Sequence, residues 1–266
     1  MIAYVKNKSL EGVHMTIRLQ HIRHATSILF INEKRILIDP MLSDVSKLAP
    51  VPFTRNYRRN PLTPLPVPLN IFEDMDAILL THRHFDHRDK RAMAILNKQI
   101  PVFCQPQDAT AIRSAGFKKV IAINDCYEWE GIHLKRLAGR HAPGITGKLL
   151  GPVSSFFLNT TEEGSIYIVS DCILTPAIDR AFRELQPDIA ILNASEAQMI
   201  WGTVITMTRE DVARIARLSP NTKLVIVHLE TINHCKLSRA QLTNFLDEQR
   251  LAHAVSVPND GDILSL

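Results

Sequence analysis

The sequence predicts a mixed α/β fold, and three observations carry that expectation. The chain has 266 residues with 45% hydrophobic and 22% charged side chains, enough to bury a large core and too apolar for a disordered or fibrous chain. Short runs rich in β-branched residues recur with turn signals between them. Helical spacing appears between the later runs, without the regular alternation of a Rossmann or barrel fold.

Taken in order, the apolar runs predict strands over 16–20, 27–31, 35–39, 76–81, 101–104, 119–123, 131–137, 154–159, 165–170, 188–193 and 223–228. The clearest hairpin is at 159–164, where NTTEEG separates SSFFL from SIYIVS and supplies the polar residues and glycine of a tight turn. Helices are expected over 88–98, 107–115, 176–185, 209–218 and 238–250. The fourth opens with Thr208 and Asp211 in capping-box spacing and then places Val212, Ile215 and Ala216 on one face. Segment 43–70 carries prolines at 50, 52, 61, 64, 66 and 68 and resists assignment to any element, so it reads as a lid over a site. Its Lys47, Arg55, Arg58 and Arg59 beside Tyr57 concentrate positive charge; a solvated basic loop is the alternative reading. Residues 1–14 read as an N-terminal arm and 15–266 as a single domain.

Composition excludes several function classes. Lys and Arg total 31 against 27 for Asp and Glu, a net +4 too small to mark a nucleic-acid or membrane surface. The opening residues lack the apolar stretch of a secretory signal, and no run approaches the 18 apolar residues of a membrane span. Cys104, Cys126, Cys172 and Cys235 are scattered without CxxC pairing, which fits a reducing compartment and a cytoplasmic location. Neither nucleic acid nor membrane is therefore expected as a partner. The eleven histidines are the abnormal count.

The chemistry concentrates after the run DAILL, in Thr81-His82-Arg83-His84-Phe85-Asp86-His87. On a helix His82 and His84 would point about 200° apart, whereas at a strand end residues i and i+2 share a face and can hold one metal ion. A turn after them would deliver Asp86 and His87 to a second position beside the first.

This segment resembles the HxHxDH signature of the metallo-β-lactamase-fold hydrolases, and the resemblance continues downstream. His141 follows IHLKRLAG, Asp171 follows SIYIVS and His228 follows KLVIV, filling the family's later His, Asp and His. It spans roughly 16–262, including Ile38-Asp39-Pro40 and the closing VPNDG. The opening His24-Ala25-Thr26 and MTREDVARIARLSPNTKLVIVH look most like the L-ascorbate-6-phosphate lactonase branch, with N-acylphosphatidylethanolamine-hydrolysing phospholipase D more distant. The resemblance implies a four-layer αββα sandwich with a dinuclear site at one edge. It puts His82, His84 and His141 on one metal, Asp86, His87 and His228 on the other, and Asp171 between them. Two divalent ions are implied, zinc by default, with manganese or iron as alternatives. The implied activity is hydrolysis of a small, anionic ester, lactone or phosphoester by a metal-bridging hydroxide, with Asp86 and Asp171 as the catalytic carboxylates. A homo-oligomer is also implied.

Other readings stay open. A nuclease or phosphodiesterase of the same fold is disfavoured by the modest charge and by only 29 residues between His141 and Asp171. A mononuclear iron dioxygenase uses the same scaffold. Asp39 reads either as a brace for the metal-bearing loop or as a turn-initiating residue before Pro40. His234 either lines the pocket, as a proton donor to the leaving group, or packs. His24 reads as a buried, hydrogen-bonded neighbour of the site. Arg140 and Arg23 either meet an anionic substrate group or lie at the surface. Trp201, with Met199 and Met207, walls a pocket or belongs to the core.

Overall fold

A computed structural model describes residues 17–266, so the expected arm over 1–14 and the first residue of the strand expected over 16–20 lie outside the described residues. The first half forms β1 (Arg18–Arg23), β2 (Thr26–Ile31), β3 (Lys34–Ile38), β4 (Ala77–Leu80), α1 (Lys90–Ile95), β5 (Pro101–Cys104), α2 (Ala109–Ser114) and β6 (Lys119–Ala122). The second half forms β7 (Cys126–Trp129), β8 (Ile132–Ala138), α3 (Gly144–Leu150), β9 (Ser154–Asn159), β10 (Ser165–Ser170) and α4 (Pro176–Leu185). It ends with β11 (Ile189–Asn193), α5 (Arg209–Leu218), β12 (Lys223–Val227), α6 (Arg239–Glu248), β13 (Val255–Ser256) and β14 (Ile263–Ser265). Every expected strand and helix is present within a few residues; β7, α3, β13 and β14 are additional.

The strands make two seven-stranded mixed sheets, in the orders β14-β1-β2-β3-β4-β5-β6 and β13-β12-β11-β10-β9-β8-β7. Period-2 alternation divides each strand between two cores. Ile36 and Ile38 of β3, Ile166 and Ile168 of β10, and Val225 and Val227 of β12 point between the sheets. Tyr167 and Val169 of β10 and Leu224 and Ile226 of β12 point outward onto α4, α5 and α6, which contribute Phe182, Ile215 and Leu242. Leu37 and Ile78 of the first sheet face Ala92 of α1 and Ile112 of α2. With both faces covered, the strands read as continuous apolar runs, and the layers stack as an αββα sandwich.

Local rules set the elements. Thr208 and Asp211 close the expected capping box of α5: Asp211 N–H donates to Thr208 Oγ1 at 3.1 Å and Thr208 N–H to Asp211 Oδ2 at 3.0 Å. The 159–164 turn closes with Thr160 N–H to Gly164 O at 3.0 Å, and Gly164 takes φ 101°, a conformation that favours glycine. Gly139, just past β8, has no room for a side chain, since a Cβ there would lie 2.3 Å from Cys172 Sγ.

Segment 43–70 is irregular apart from a bridge between Leu48 and Asn60 and the start of a 3-10 turn at Leu69–Phe72. It is nonetheless tied down. Buried Arg23 donates to the carbonyls of Met41 at 3.1 Å, Ser43 at 2.5 Å and Thr63 at 2.9 Å. Asn233 accepts from Val51 N–H and from Asn60 Nδ2 at 2.9 Å each and donates to Thr54 Oγ1 at 2.9 Å. Arg59 donates to the carbonyls of Ser46 and Lys47, so its guanidinium closes the loop.

Removing the Asn233 amide leaves several buried polar groups unpaired, at a cost of about 2 kcal/mol to the closed loop. Asn233→Ala is therefore expected to keep its far-ultraviolet circular dichroism while trypsin cuts at Arg55, Arg58 or Arg59 about 30-fold faster, as local opening controls cleavage. Equal cleavage of variant and wild type would contradict the anchoring role.

Candidate metal centre

The polar residues gather where strands of both sheets end. His82 follows β4, His141 follows β8, Asp171 follows β10, His228 follows β12, and Asp39 follows β3. Four residues on this edge adopt left-handed backbone: His24 at φ 55°, Asp39 at 43°, Ser170 at 63° and His228 at 72°. Such conformations are costly outside glycine and cluster where a structure over-determines a site. After His84 the chain turns, with His87 and Arg88 N–H both donating to His84 O at 3.1 and 3.0 Å, and this brings Asp86 and His87 back beside His82.

Asp39 braces this turn. Its Oδ1 accepts from Thr81 N–H at 2.8 Å, and its Oδ2 accepts from Thr81 Oγ1–H at 2.6 Å and His87 Nδ1–H at 2.8 Å. The hydrogen bonds a brace would make are therefore present at Asp39, and they are made from the turn before Pro40.

The outer nitrogens of His82, His84 and His141 each face a hydrogen-bond acceptor, which assigns the proton of those three rings. Thr81 gives its own proton to Asp39, so His82 Nδ1–H donates to Thr81 Oγ1 at 3.0 Å and Nε2 is left bare. His84 Nε2–H donates to Leu150 O at 2.9 Å, leaving Nδ1 bare, and His141 Nδ1–H donates to Ile205 O at 2.7 Å, leaving Nε2 bare. His228 Nδ1 pairs with Ser195 Oγ at 3.1 Å.

The inward atoms converge. His82 Nε2 and His84 Nδ1 are 3.0 Å apart, and His87 Nε2 and His228 Nε2 are 3.3 Å apart. Asp171 lies between the two sets: its Oδ2 is 3.2 Å from His87 Nε2 and 3.4 Å from His141 Nε2, and its Oδ1 is 3.1 Å from His228 Nε2. Asn193 Nδ2 fixes that carboxylate by donating to Oδ1 at 2.7 Å. Inward donors fall within 4.8 Å of one another in three groups: His82, His84 and His141; His82, His87 and Asp171; and His24, Asp86, His87 and His228. The cluster is capable of holding metal.

The structure thus brings together all seven residues named from the motif and its downstream partners. His234 lies beside them, its ring 6.2 Å from that of His228 and its Nδ1 buried without a partner among the described residues. Arg140 does not join them; it is exposed and contributes its carbonyl, which accepts from Ile173 N–H at 2.9 Å. Arg23 is fully buried and holds loop carbonyls, so it is neither a surface charge nor an anion ligand. His24 belongs to the cluster more intimately than its sequence position shows, with Nε2 3.1 Å from Asp86 Oδ2. The outer acceptors at Leu150 and Ile205 have no sequence signal, because any residue supplies a carbonyl.

A cavity of about 460 Å³ is lined by Arg55, Gln198, Met199, Ile200, Trp201, Gly202 and Lys236, none of them a member of the cluster. Gln198 N–H donates to His234 O at 3.1 Å, and Met199 packs with Ala142 and Ile205. Trp201 is 53% exposed and faces the Phe53 ring at 6.0 Å, whereas Met207 belongs to the core.

A sandwich with a His and Asp cluster at its strand ends is an arrangement of the β-lactamase superfamily, and the comparisons make the chain a metal-dependent hydrolase within it. The family described as the β-lactamase superfamily domain matches residues 34–229. UPF0173 protein YddR of Bacillus subtilis (strain 168) is 33% identical over 250 residues, 92% of this chain and 98% of its own length. Isothiocyanate hydrolase from Delia radicum gut bacteria superposes with TM-score 0.90 at 31% identity, over 94% of this chain and 99% of that one. A possible metal-dependent hydrolase from Veillonella parvula DSM 2008 superposes with TM-score 0.91 at 30% identity, over 94% and 100%. The chain belongs to the UPF0173 metal-dependent hydrolase family. Among the described residues, no helix is long and apolar enough to cross a membrane.

Burial and charge act in opposite directions on these histidines. Burial holds His21, His24, His82, His84 and His234 below the ordinary value of 6.5, His234 at about 4. Burial also opposes charge on His87 and His228, but Asp171, joined by Asp39 and Asp86 at His87, outweighs it and raises both, His228 to about 10. Without metal, the raised pair stabilises the fold fully below pH 6.5 and loses that contribution as pH rises through the folded values. The lowered five act the other way: the unfolded chain takes up their protons near 6.5 while the folded chain does not, so stability falls as pH drops below 6.5. In chelator-treated protein, His234→Asn is expected to reduce that acid slope by up to about 1.4 kcal/mol per pH unit between pH 6.5 and 4, read from urea unfolding at several pH values. An unchanged slope would contradict a neutral, buried His234.

Proposed function

We propose that this chain hydrolyses a small molecule at a two-metal centre. His82, His84 and His141 hold one ion, Asp86, His87 and His228 hold the other, and Asp171 bridges them. The observation that carries this reading is the confrontation of His82 Nε2 with His84 Nδ1 at 3.0 Å. Both rings are held neutral by burial and both have committed their one proton outward, so two lone pairs face each other, with the bare Nε2 of His141 completing the group. A cation removes that repulsion, and three imidazoles with carboxylates suit zinc first, with manganese and iron as rivals.

A divalent ion there lowers the pKa of water toward 7 and polarises the substrate. The chain's own residues do the rest. Asp171 places a negative charge between the two positions and limits their mutual repulsion. Asp86 stays ionised, because burial raises its pKa less than His87 and His24 lower it, and it serves as hydrogen-bond acceptor for the attacking water. His234, at about 4, is a neutral hydrogen-bonding group and not the acid that protonates a leaving group.

The substrate is a small ester, lactone or phosphoester with an apolar body and a negative charge. Support comes from the cavity that Gln198 links to His234, where Trp201 offers an aromatic wall and Arg55 and Lys236 offer charge. Arg59 drops out of the anion-binding set because it holds loop carbonyls. A second reading, isothiocyanate hydrolysis to an amine and carbonyl sulfide, is supported by the 31% identity to an isothiocyanate hydrolase across nearly the whole chain. We place the protein in the cytoplasm as a homo-oligomer acting on a small molecule.

Metal content by plasma mass spectrometry tests the centre directly: about two equivalents per chain are expected, and about one or none would refute it. Asp171→Ala is expected to lower metal-dependent turnover by more than about 100-fold with the fold retained, and near-normal turnover would refute its bridging role. Assayed on one sample, benzyl isothiocyanate turned over faster than anionic aryl esters, lactones and phosphodiesters would replace the first substrate reading with the second.

A further inference from the structure

His24 stands in the turn between β1 and β2, fully buried, with φ 55°. Its Nε2 lies 3.1 Å from Asp86 Oδ2, its carbonyl accepts from His228 N–H at 2.8 Å, and its ring sits 3.6 Å from the His228 ring at 39°. Its inward atom falls within reach of Asp86, His87 and His228, so distance alone would admit it as a further ligand there.

Ring geometry decides otherwise. A zinc-bound imidazole has its nitrogen about 2.0–2.1 Å from the ion and its centre about 3.2 Å away, so two such rings at a tetrahedral angle have centres about 5 Å apart. Pairs proposed to share an ion obey this: His84 and His141 at 5.0 Å, His82 and His141 at 5.6 Å, His87 and His228 at 5.3 Å, with His82 and His84 slightly closer at 4.5 Å. His24 stands 5.7 Å from the His87 ring, a spacing that would allow a common ion, but at 3.6 Å from the His228 ring the two lie against one another instead of diverging from a common point, so His24 and His228 do not share one ion.

We infer that His24 is a positioning residue for the second metal position alone, an inference that rests on the two-metal reading above. It donates Nε2–H to Asp86 Oδ2, the oxygen that also faces His87 Nε2 at 4.0 Å and His228 Nε2 at 3.8 Å, and so fixes how that carboxylate is presented to the second position. Its carbonyl and ring fix His228 from the backbone and from one face. None of these contacts touches His82, His84 or His141. The left-handed backbone explains why histidine suits the position, since it tolerates φ > 0 better than bulky or β-branched residues. A partner of this kind typically changes metal affinity 10- to 100-fold.

The test titrates Co2+ into chelator-treated full-length protein and reads each equivalent by its visible absorption. His24→Phe keeps a ring against His228 and loses the donor; His24→Gln restores an N–H at similar reach but offers no imidazole lone pair. The first equivalent is expected to match wild type in both variants. In His24→Phe the second is expected to bind about 10- to 100-fold more weakly with an altered band, and in His24→Gln to return to within about threefold of wild type. If His24→Phe fails to fold, His24→Asn, which accepts the backbone but cannot reach Asp86, replaces it. A second equivalent that binds the Phe or Asn variant normally overturns the inference, as does equal weakening of both equivalents. A Gln variant as weak as Phe overturns it too, because that outcome marks His24 as a ligand. Should wild type itself take up fewer than two equivalents, the two-metal reading fails first.

Discussion

The site depends on where its imidazole protons go. A neutral histidine has one N–H, and each ring of the His82, His84 and His141 set gives it to an acceptor outside the cluster. Thr81 Oγ1, Leu150 O and Ile205 O take them, with Asp39 behind Thr81 and also holding His87 Nδ1–H. Once those bonds form, the inward atoms are bare acceptors packed together away from water. Buried acceptors crowded in this way are costly unless a cation meets them, and a divalent ion is the group that satisfies all of them at once.

The rest of the fold positions those acceptors. Strands buried on both faces end together on one edge, which brings residues from β3, β4, β8, β10 and β12 to a common place. The short α3 ends at Leu150, whose carbonyl orients His84, and the 197–206 loop supplies Ile205, whose carbonyl orients His141. Ala142, Ala197, Met199 and Ile205 pack together with Leu150 against them, so both acceptors are held by one small apolar cluster. The left-handed residues at His24, Asp39, Ser170 and His228 mark where the backbone bends to serve the same edge. Stability carried elsewhere in the two-sheet core tolerates that strain.

Much of this was legible in the sequence, for physical reasons. A strand buried on both faces must be a short apolar run, and a polar residue at its end falls at the sheet edge; that reasoning placed His82, while Asp171 and His228 were singled out among strand-end residues by the family resemblance. The capping box at Thr208 and Asp211 is local chemistry and appears as expected. The 144–150 helix escaped notice because GITGKLL carries two glycines and its Pro143 cap offers no side-chain bond. β13 and β14 are only two and three residues long, too short for periodicity to register. The outer acceptors were hidden because a backbone carbonyl has no identity in sequence, and the roles of Arg23 and Arg59 were hidden because a charged residue looks the same whether it faces solvent or holds a loop.

Anomalous diffraction at the metal edge, from crystals grown without chelator, tests the central claim most directly. The account predicts two peaks per chain, one within bonding distance of His82 Nε2, His84 Nδ1 and His141 Nε2, the other of Asp86, His87 Nε2 and His228 Nε2, with Asp171 between them and His24 bonded to neither. A single peak, a peak outside this cluster, or a bond from either ion to His24 would contradict it.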